Sequence, residues 1–201
     1  MNQKKVDKDL KQENIKFFHK NGYSIFKDFF EEQYCFQIKE NLERFIKKIL
    51  PEIPQNQVYY DDIQDKNSLK QIQKMYDYDL FFYDLIHRGK IFEIAGKLLG
   101  EEPRIVNLQY FNKAPNYSKP TPPHQDGYYF KIYPMKAVTL WLALDEVNEV
   151  NGGIKYYSGS HKQGLRNHQP SGVLGFSQGL CLDDPILSES EVINPSCGVG
   201  T

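Results

Sequence analysis

The chain has few cysteines, no long apolar run and almost no excess of either charge. Its three cysteines, Cys35, Cys181 and Cys197, are odd in number and widely spaced, which argues against a disulfide framework and favours a reduced, cytoplasmic protein. No apolar segment approaches the roughly 20 residues that cross a bilayer, and the polar first residues contain no signal-peptide core. The net charge of -1 provides no basic surface, so neither nucleic acid nor a membrane is expected as a partner.

The composition is that of one ordinary folded domain. The 201 residues are 40% hydrophobic and 25% charged, which is enough for a single domain, 1–201, with a sizeable core. Residues 1–103 are predicted to be mainly helical, because apolar residues recur at helical spacing before Pro51 and again in two patterns between Leu80 and Leu99. These two patterns break near Gly89 and end at Gly100.

Residues 104–201 change from helical spacing to alternation. Strands are predicted at 105–111, 127–133, 137–147 and 154–157, and a short one at 23–26. The segment 137–147 alternates most clearly, and the turn signal Asn151-Gly152 predicts that it pairs with 154–157. Helices followed by strands predict an α+β fold with a mainly β core.

The sharpest chemical signal is the triplet His124-Gln125-Asp126. On a strand, residues i and i+2 share a face, so the imidazole and the carboxylate would approach one metal ion from the same side. A second histidine from elsewhere would complete a 2-His-1-carboxylate set, which leaves coordination positions open. The triplet alone is equally compatible with a surface histidine beside a solvated aspartate.

Further motifs surround this triplet in a particular order. They are FNKAP at 111–115, HQD at 124–126, WLAL at 141–144, NG at 151–152 and GSHK at 159–162. In this order the motifs resemble those of the phytanoyl-CoA dioxygenase family. The segments 18–30 and 98–100 also resemble that family, so that the resemblance extends over essentially the whole chain.

The resemblance implies a fold and a chemistry. The implied fold is a double-stranded β-helix, a jelly-roll barrel of the cupin kind, with the N-terminal helices packed outside it. The implied cofactors are Fe(II) and the co-substrate 2-oxoglutarate, with ascorbate as a possible addition. The implied reaction uses O₂ and the oxidative decarboxylation of 2-oxoglutarate to hydroxylate a small organic substrate.

The resemblance also assigns roles to individual residues. It makes His124 and Asp126 the iron ligands and catalytic residues, and it places Gln109, Phe130 and Trp141 at the 2-oxoglutarate pocket. From the residue types alone, Gln109 is equally an ordinary polar residue of a strand, whereas Phe130 and Trp141 are ordinary core residues.

The remaining histidines and nucleophiles are not expected to take part. His161 lies in the GSHK loop and His168 in a polar stretch, while His19 and His87 lie in helical segments. Lys113 could attract a carboxylate or be an ordinary surface lysine. A serine hydrolase is unsupported, because Ser158 and Ser160 have no base in evident reach.

The sequence departs from the family pattern in its last part. The family's distal histidine ligand and its 2-oxoglutarate-binding arginine have no counterpart before Thr201. The expectation is therefore an incomplete β-helix that lacks its last strands, as in a fragment, and that has little activity alone. The alternative is a natural non-catalytic domain that binds a ligand or a partner. A halogenase is disfavoured because, by family analogy, halogenases have a small residue in place of this carboxylate, and Asp126 is present. His and Asp also suit zinc, but no ordered set of motifs supports a zinc hydrolase.

Overall fold

The computed structural model describes residues 9–201, which form an α+β arrangement with six α-helices and seven short strands in that range. The α-helices within this range are α1 Gln12–Asn21, α2 Glu32–Lys48, α3 Leu80–His87, α4 Lys90–Leu99, α5 Asp126–Phe130 and α6 Ile186–Glu189. The strands are β1 Val58–Tyr60, β2 Leu69–Ile72, β3 Tyr110–Phe111, β4 Tyr156–Tyr157, β5 His168–Val173, β6 Phe176–Leu180 and β7 Val192–Ile193.

The helical part agrees with its sequence pattern. In α2 the buried residues Cys35, Ile38, Leu42 and Phe45 recur every three or four positions, so they form one apolar stripe. The predicted break between the two later helices is confirmed at Gly89, which has a φ of 77° and separates α3 from α4. Gly100 ends α4 in the left-handed conformation that glycine adopts without strain.

Two apolar clusters make up the core. The larger cluster joins α2, β2 and α3 through Leu42, Phe45, Ile53, Leu69, Ile72, Met75 and Phe82. The smaller cluster joins the N-terminal segment to α4 through Leu10, Phe29, Ile94 and Leu98. Val138 packs against the smaller cluster and Leu144 against the larger one, so the segment 137–147 covers both.

The strands form three small antiparallel sheets. The first has the order β1-β2-β3, in which Gln71 lies opposite Phe111. The second pairs β4 with β7, and the third is the hairpin β5–β6. Within residues 9–201 these sheets do not close into a barrel, so the expected double-stranded β-helix is observed only as separate small sheets.

The prediction of a strand at 137–147 was wrong, because this segment does not pair in a regular β-ladder. The only strand-like pairing of this segment in the described part of the chain is with the C-terminal residues. The Ala143 N–H donates to the Thr201 carbonyl at 3.1 Å, and Val147 and Cys197 exchange backbone hydrogen bonds of 2.8 Å. The predicted pairing with 154–157 is also wrong, because Tyr156 lies opposite Ile193 instead.

Three other strand predictions need correction. Of the predicted strand 105–111, only Tyr110–Phe111 is in a ladder, and 23–26 forms no strand. The segment 127–133 is largely helical, because α5 occupies Asp126–Phe130 and ends at Lys131, which has a φ of 50°. Tyr128 and Tyr129 of this segment contact the β5–β6 hairpin instead of joining a sheet, so tertiary contacts override their strand propensity. Among residues 9–201 no helix is long and apolar enough to span a membrane.

Candidate metal centre

His124 lies in the extended segment just before α5. Its Nδ1–H donates to the Pro122 carbonyl at 2.8 Å, since a carbonyl can only accept. This bond fixes the tautomer, so that the lone pair of the neutral ring is on Nε2. A metal-binding histidine commonly has its other nitrogen held in this way, and the side chain is only 21% exposed.

Asp126 is the first residue of α5 and faces the same point. Its Oδ1 lies 3.4 Å from the His124 Nε2. The two residues are not on a strand, so the predicted reason for their convergence is wrong. Gln125 is extended, with φ and ψ of -116° and 123°, and the helical turn that follows directs the carboxylate towards the imidazole.

The separation of these two atoms fits a shared metal ion. Two ligand atoms that each lie about 2.1 Å from a first-row metal, at right angles to one another, are about 3.0 Å apart. The 3.4 Å separation between Nε2 and Oδ1 is close to that distance. Imidazole nitrogen and carboxylate oxygen are also the donor types of the iron(II) facial triad.

When no metal is bound, the surroundings of the two side chains favour a protonated His124 and an ionised Asp126. Burial alone lowers the pKa of the His124 ring, but the Asp126 carboxylate and the Pro122 carbonyl outweigh it and raise the pKa. The hydrogen bond with His124 lowers the pKa of the Asp126 carboxyl, and the Thr139 hydroxyl adds to this effect. A metal cation would replace the proton between the two side chains.

The β5–β6 hairpin holds the segment that carries both residues. The backbone N–H of Gln125 donates to the His168 Nε2 at 3.1 Å, while the His168 Nδ1–H donates to the Arg166 carbonyl at 2.9 Å. The His168 ring also stacks on Tyr128, with 4.1 Å between the ring centroids. The Tyr129 hydroxyl donates to the carbonyl of Gln178 at 2.5 Å.

Phe176, at the start of β6, connects the hairpin to the metal centre and to the first sheet. Its ring centroid lies 4.9 Å from that of His124 and 5.6 Å from that of Phe111 on β3. The ring therefore forms an apolar wall beside the candidate ligand. An apolar wall limits the access of water to the side of the His124 ring that it covers.

A third metal donor is not found among residues 9–201. No group of three histidine, cysteine, aspartate or glutamate side chains there is arranged to hold a metal ion. The His168 Nε2 accepts from the Gln125 backbone, and the His161 Nε2 donates to the His19 carbonyl at 3.1 Å. Both nitrogens are thus engaged in hydrogen bonds to other residues of the described range.

The three residues predicted at the 2-oxoglutarate pocket are not joined to the metal centre by hydrogen bonds or ring contacts within the described range. The Gln109 Oε1 accepts from the Gln71 Nε2 at 2.7 Å, and Gln71 is 3% exposed. Phe130 and Trp141 are half-buried. Phe130 ends α5 one helical turn after Asp126, so the two share a helix face rather than a strand face.

One residue that contacts Asp126 was missed by the sequence analysis. The Thr139 hydroxyl donates to the Asp126 Oδ2 at 2.5 Å. Thr139 was not singled out, because no local pattern marks its contact with Asp126. Elsewhere in the described range, burial raises the pKa of Tyr156 to about 12, with smaller contributions from the Cys197 thiol and the Asp126 carboxylate.

Lys113 is not an ordinary surface lysine. It is half-buried, and its side chain lies against Gly152, whose φ of 97° favours glycine in the NG turn. Burial lowers the pKa of the Lys113 ammonium, and the ammonium groups of Lys70 and Lys155 lower it further. Lys70 and Lys155 are themselves paired with the Asp61 and Glu149 carboxylates, at 3.0 and 3.3 Å.

Comparison with known proteins places the chain in a family. The family model for phytanoyl-CoA dioxygenase (PhyH) matches residues 18–173, more than three quarters of the chain, and the chain therefore belongs to that family. The match contains His124, Asp126, Thr139 and His168. The resemblance seen in the ordered motifs is thus confirmed.

Relatives found by sequence similarity are also named as dioxygenases. A phytanoyl-CoA dioxygenase of Arabidopsis thaliana is 22% identical over 88% of this chain and 72% of its own length. A probable alpha-ketoglutarate-dependent hypophosphite dioxygenase of Stutzerimonas stutzeri is 25% identical over 74% of this chain and 52% of its own length. The human peroxisomal phytanoyl-CoA dioxygenase is 24% identical over 79% of this chain and 50% of its own length. The matched part of the chain thus spans about half the length of the latter two.

Proposed function

We propose that the chain provides the metal-binding part of an iron(II)- and 2-oxoglutarate-dependent dioxygenase that hydroxylates a small organic molecule, with His124 and Asp126 as iron ligands. The observation that carries the proposal is the convergence of the His124 Nε2 and the Asp126 Oδ1 at 3.4 Å, inside the region that the family model matches. When bound, iron with 2-oxoglutarate and O₂ would supply the oxidising power for the reaction.

The residues of this chain would do three things. His124 and Asp126 would bind the cation and keep one face of it open, since they occupy adjacent positions on one side. The Pro122 carbonyl would keep the proton of the His124 ring on Nδ1, so that Nε2 stays available. Phe176 would exclude water from the side of the ring that it covers.

The co-substrate pocket is a finer part of the proposal. Gln109, Phe130 and Trp141 would line it, as the family resemblance implies. The support from contacts is limited to Gln109, whose partner Gln71 lies beside Gly175 in the turn next to Phe176. The proposed co-substrate is 2-oxoglutarate because a relative is named as alpha-ketoglutarate-dependent.

Succinate release tests the proposal. The chain is incubated with 2-oxoglutarate, Fe(II) and ascorbate, and succinate is measured for the wild type, Asp126→Ala and the distant control Lys155→Met. We expect slow turnover by the wild type, because two protein donors hold iron(II) weakly, and none by Asp126→Ala. Turnover that is unaffected by Asp126→Ala would refute the assignment of the ligands.

A ligand-binding domain without turnover is the second candidate. It is favoured by the presence of two metal donors rather than three among residues 9–201. In that case 2-oxoglutarate would bind in the presence of Mn²⁺, as detected by calorimetry, but no succinate would form with Fe(II). Succinate formation that depends on Asp126 would exclude this candidate.

A further inference from the structure

The Asp126 carboxylate has two oxygens with different surroundings. Oδ1 faces the His124 Nε2 at 3.4 Å, whereas Oδ2 accepts a 2.5 Å hydrogen bond from the Thr139 hydroxyl. The carboxylate can rotate about its terminal torsion, which has a broad energy profile. The Thr139 bond therefore selects the rotation that presents Oδ1 to the position facing His124.

We propose that Thr139 is a positioning residue for the metal centre, which orients the Asp126 carboxylate so that one defined oxygen ligates the cation. The proposal rests on the function proposed above, because it needs a metal at His124 and Asp126. Hydroxyl-to-carboxylate bonds of this length are charge-assisted and stronger than neutral ones. The bond also helps to keep the carboxylate ionised, so that an oxygen with negative charge remains available to the metal.

Thr139 is well placed to hold its hydroxyl still. Its neighbour Val138 packs against the smaller core cluster, and Ala143, further along the same segment, is 1% exposed and bonded through its backbone to Thr201. A β-branched side chain also has few rotamers. The segment 137–147 thus contributes a fixed donor to the site, although it forms no regular strand there.

The neighbouring residues do not offer a replacement donor. Within the described residues, the Tyr156 hydroxyl forms no hydrogen bond with the Asp126 carboxylate, whose Oδ2 accepts from Thr139. The side chain of Gln125 points away, because its Oε1 accepts from the Arg166 backbone and its Nε2 donates to the Gly164 carbonyl. Loss of the Thr139 hydroxyl would therefore leave Oδ2 to water.

Cobalt binding tests the proposal. Co²⁺ is titrated into the purified chain, and its visible absorption is followed for the wild type, Thr139→Val, Thr139→Ser and the control Leu140→Ala, whose side chain is 38% exposed on the same segment. We expect Thr139→Val to weaken Co²⁺ binding about 10-fold and to change the absorption spectrum, as loss of an outer-shell partner does. Thr139→Ser and Leu140→Ala should bind as the wild type does.

Further measurements separate the possible failures. The melting temperature without metal should be similar for Thr139→Val and wild type, because the hydroxyl is exposed, whereas a merely structural role would lower it and leave the spectrum unchanged. Wild-type affinity and spectrum in Thr139→Val would overturn the positioning role alone. Co²⁺ binding that survives Asp126→Ala would overturn the metal centre, and the role of Thr139 with it.

Discussion

The buried ion pair between Lys70 and Asp61 allows a stability prediction with a worked magnitude. Lys70 lies on β2 with a side chain that is 1% exposed, and its Nζ is 3.0 Å from the Asp61 Oδ1. The attraction at that distance is about 5 to 6 kcal/mol at an effective dielectric constant of about 20. Desolvation of the two charges costs several kcal/mol each, so the pair as a whole contributes little net stability.

Breaking the pair is expected to be costly, because one charge remains buried without its partner. We expect Lys70→Met to lower the free energy of unfolding by about 3 kcal/mol, the low end of the usual range for such a change. The low end applies because Asp61 is 10% exposed and still accepts a 2.5 Å hydrogen bond from the Ser118 hydroxyl. The double variant Lys70→Met/Asp61→Asn should lose less than the sum of the single variants, with a coupling of about 2 kcal/mol or more.

Urea unfolding at 25 °C measures these changes, with the fluorescence of the single tryptophan as the signal. The exposed pair of Lys155 and Glu149, 3.3 Å apart, gives a matched control, since Lys155→Met should cost less than about 0.5 kcal/mol. A loss below about 1 kcal/mol for Lys70→Met, or additive losses in the double variant, would show that the pair is solvated and the reasoning wrong.

Three further predictions concern the metal centre and the core. Because a proton and the metal compete for the His124 Nε2, Co²⁺ affinity should rise about tenfold per pH unit below the pKa of His124. Above that pKa, which is raised from the ordinary value of 6.5, the affinity should become constant. In the metal-free chain, Asp126→Asn should lower the pKa of His124, as measured by NMR of the imidazole ring. A Co²⁺ affinity of the wild type that is independent of pH between pH 5 and pH 8 (roughly the range in which histidine titrates) would contradict the role of His124. His168→Phe keeps a ring against Tyr128 but removes the acceptor of a backbone N–H, so urea unfolding should show a loss of about 1 kcal/mol; an unchanged stability would contradict that bond. Phe45→Ala removes a side chain that is 0% exposed and should cost about 3 to 5 kcal/mol by the same assay, and a smaller loss would mean that the larger core cluster repacks.

The local signals of the sequence were sufficient where structure depends on neighbours in the chain. The break at Gly89 and the helix end at Gly100 were correctly predicted, because glycine at positive φ is a local requirement. The candidate ligands His124 and Asp126 were also found from the sequence, and their side chains do converge. The motif order was enough to identify the family.

Strand prediction failed where the pattern was not alternating or where the partner was missing. All four residues of β2 are buried, including Lys70 and Gln71, so the strand shows no polar-apolar alternation. The hairpin β5–β6 contains Pro170 and several glycines, which normally argue against strands. Conversely, 137–147 alternates well but has few backbone partners among residues 9–201.

The sequence by itself determined the helices of the first hundred residues, the α+β class and the two candidate metal donors, because these follow from spacing and residue type. Only the tertiary structure decided how the donors are held. A helical turn rather than a strand aims Asp126, the hairpin supplies His168 to the Gln125 backbone, and Thr139 reaches the carboxylate from 13 residues away. Such contacts depend on which distant segments pack together, and that is set by the burial of the whole core rather than by any local pattern.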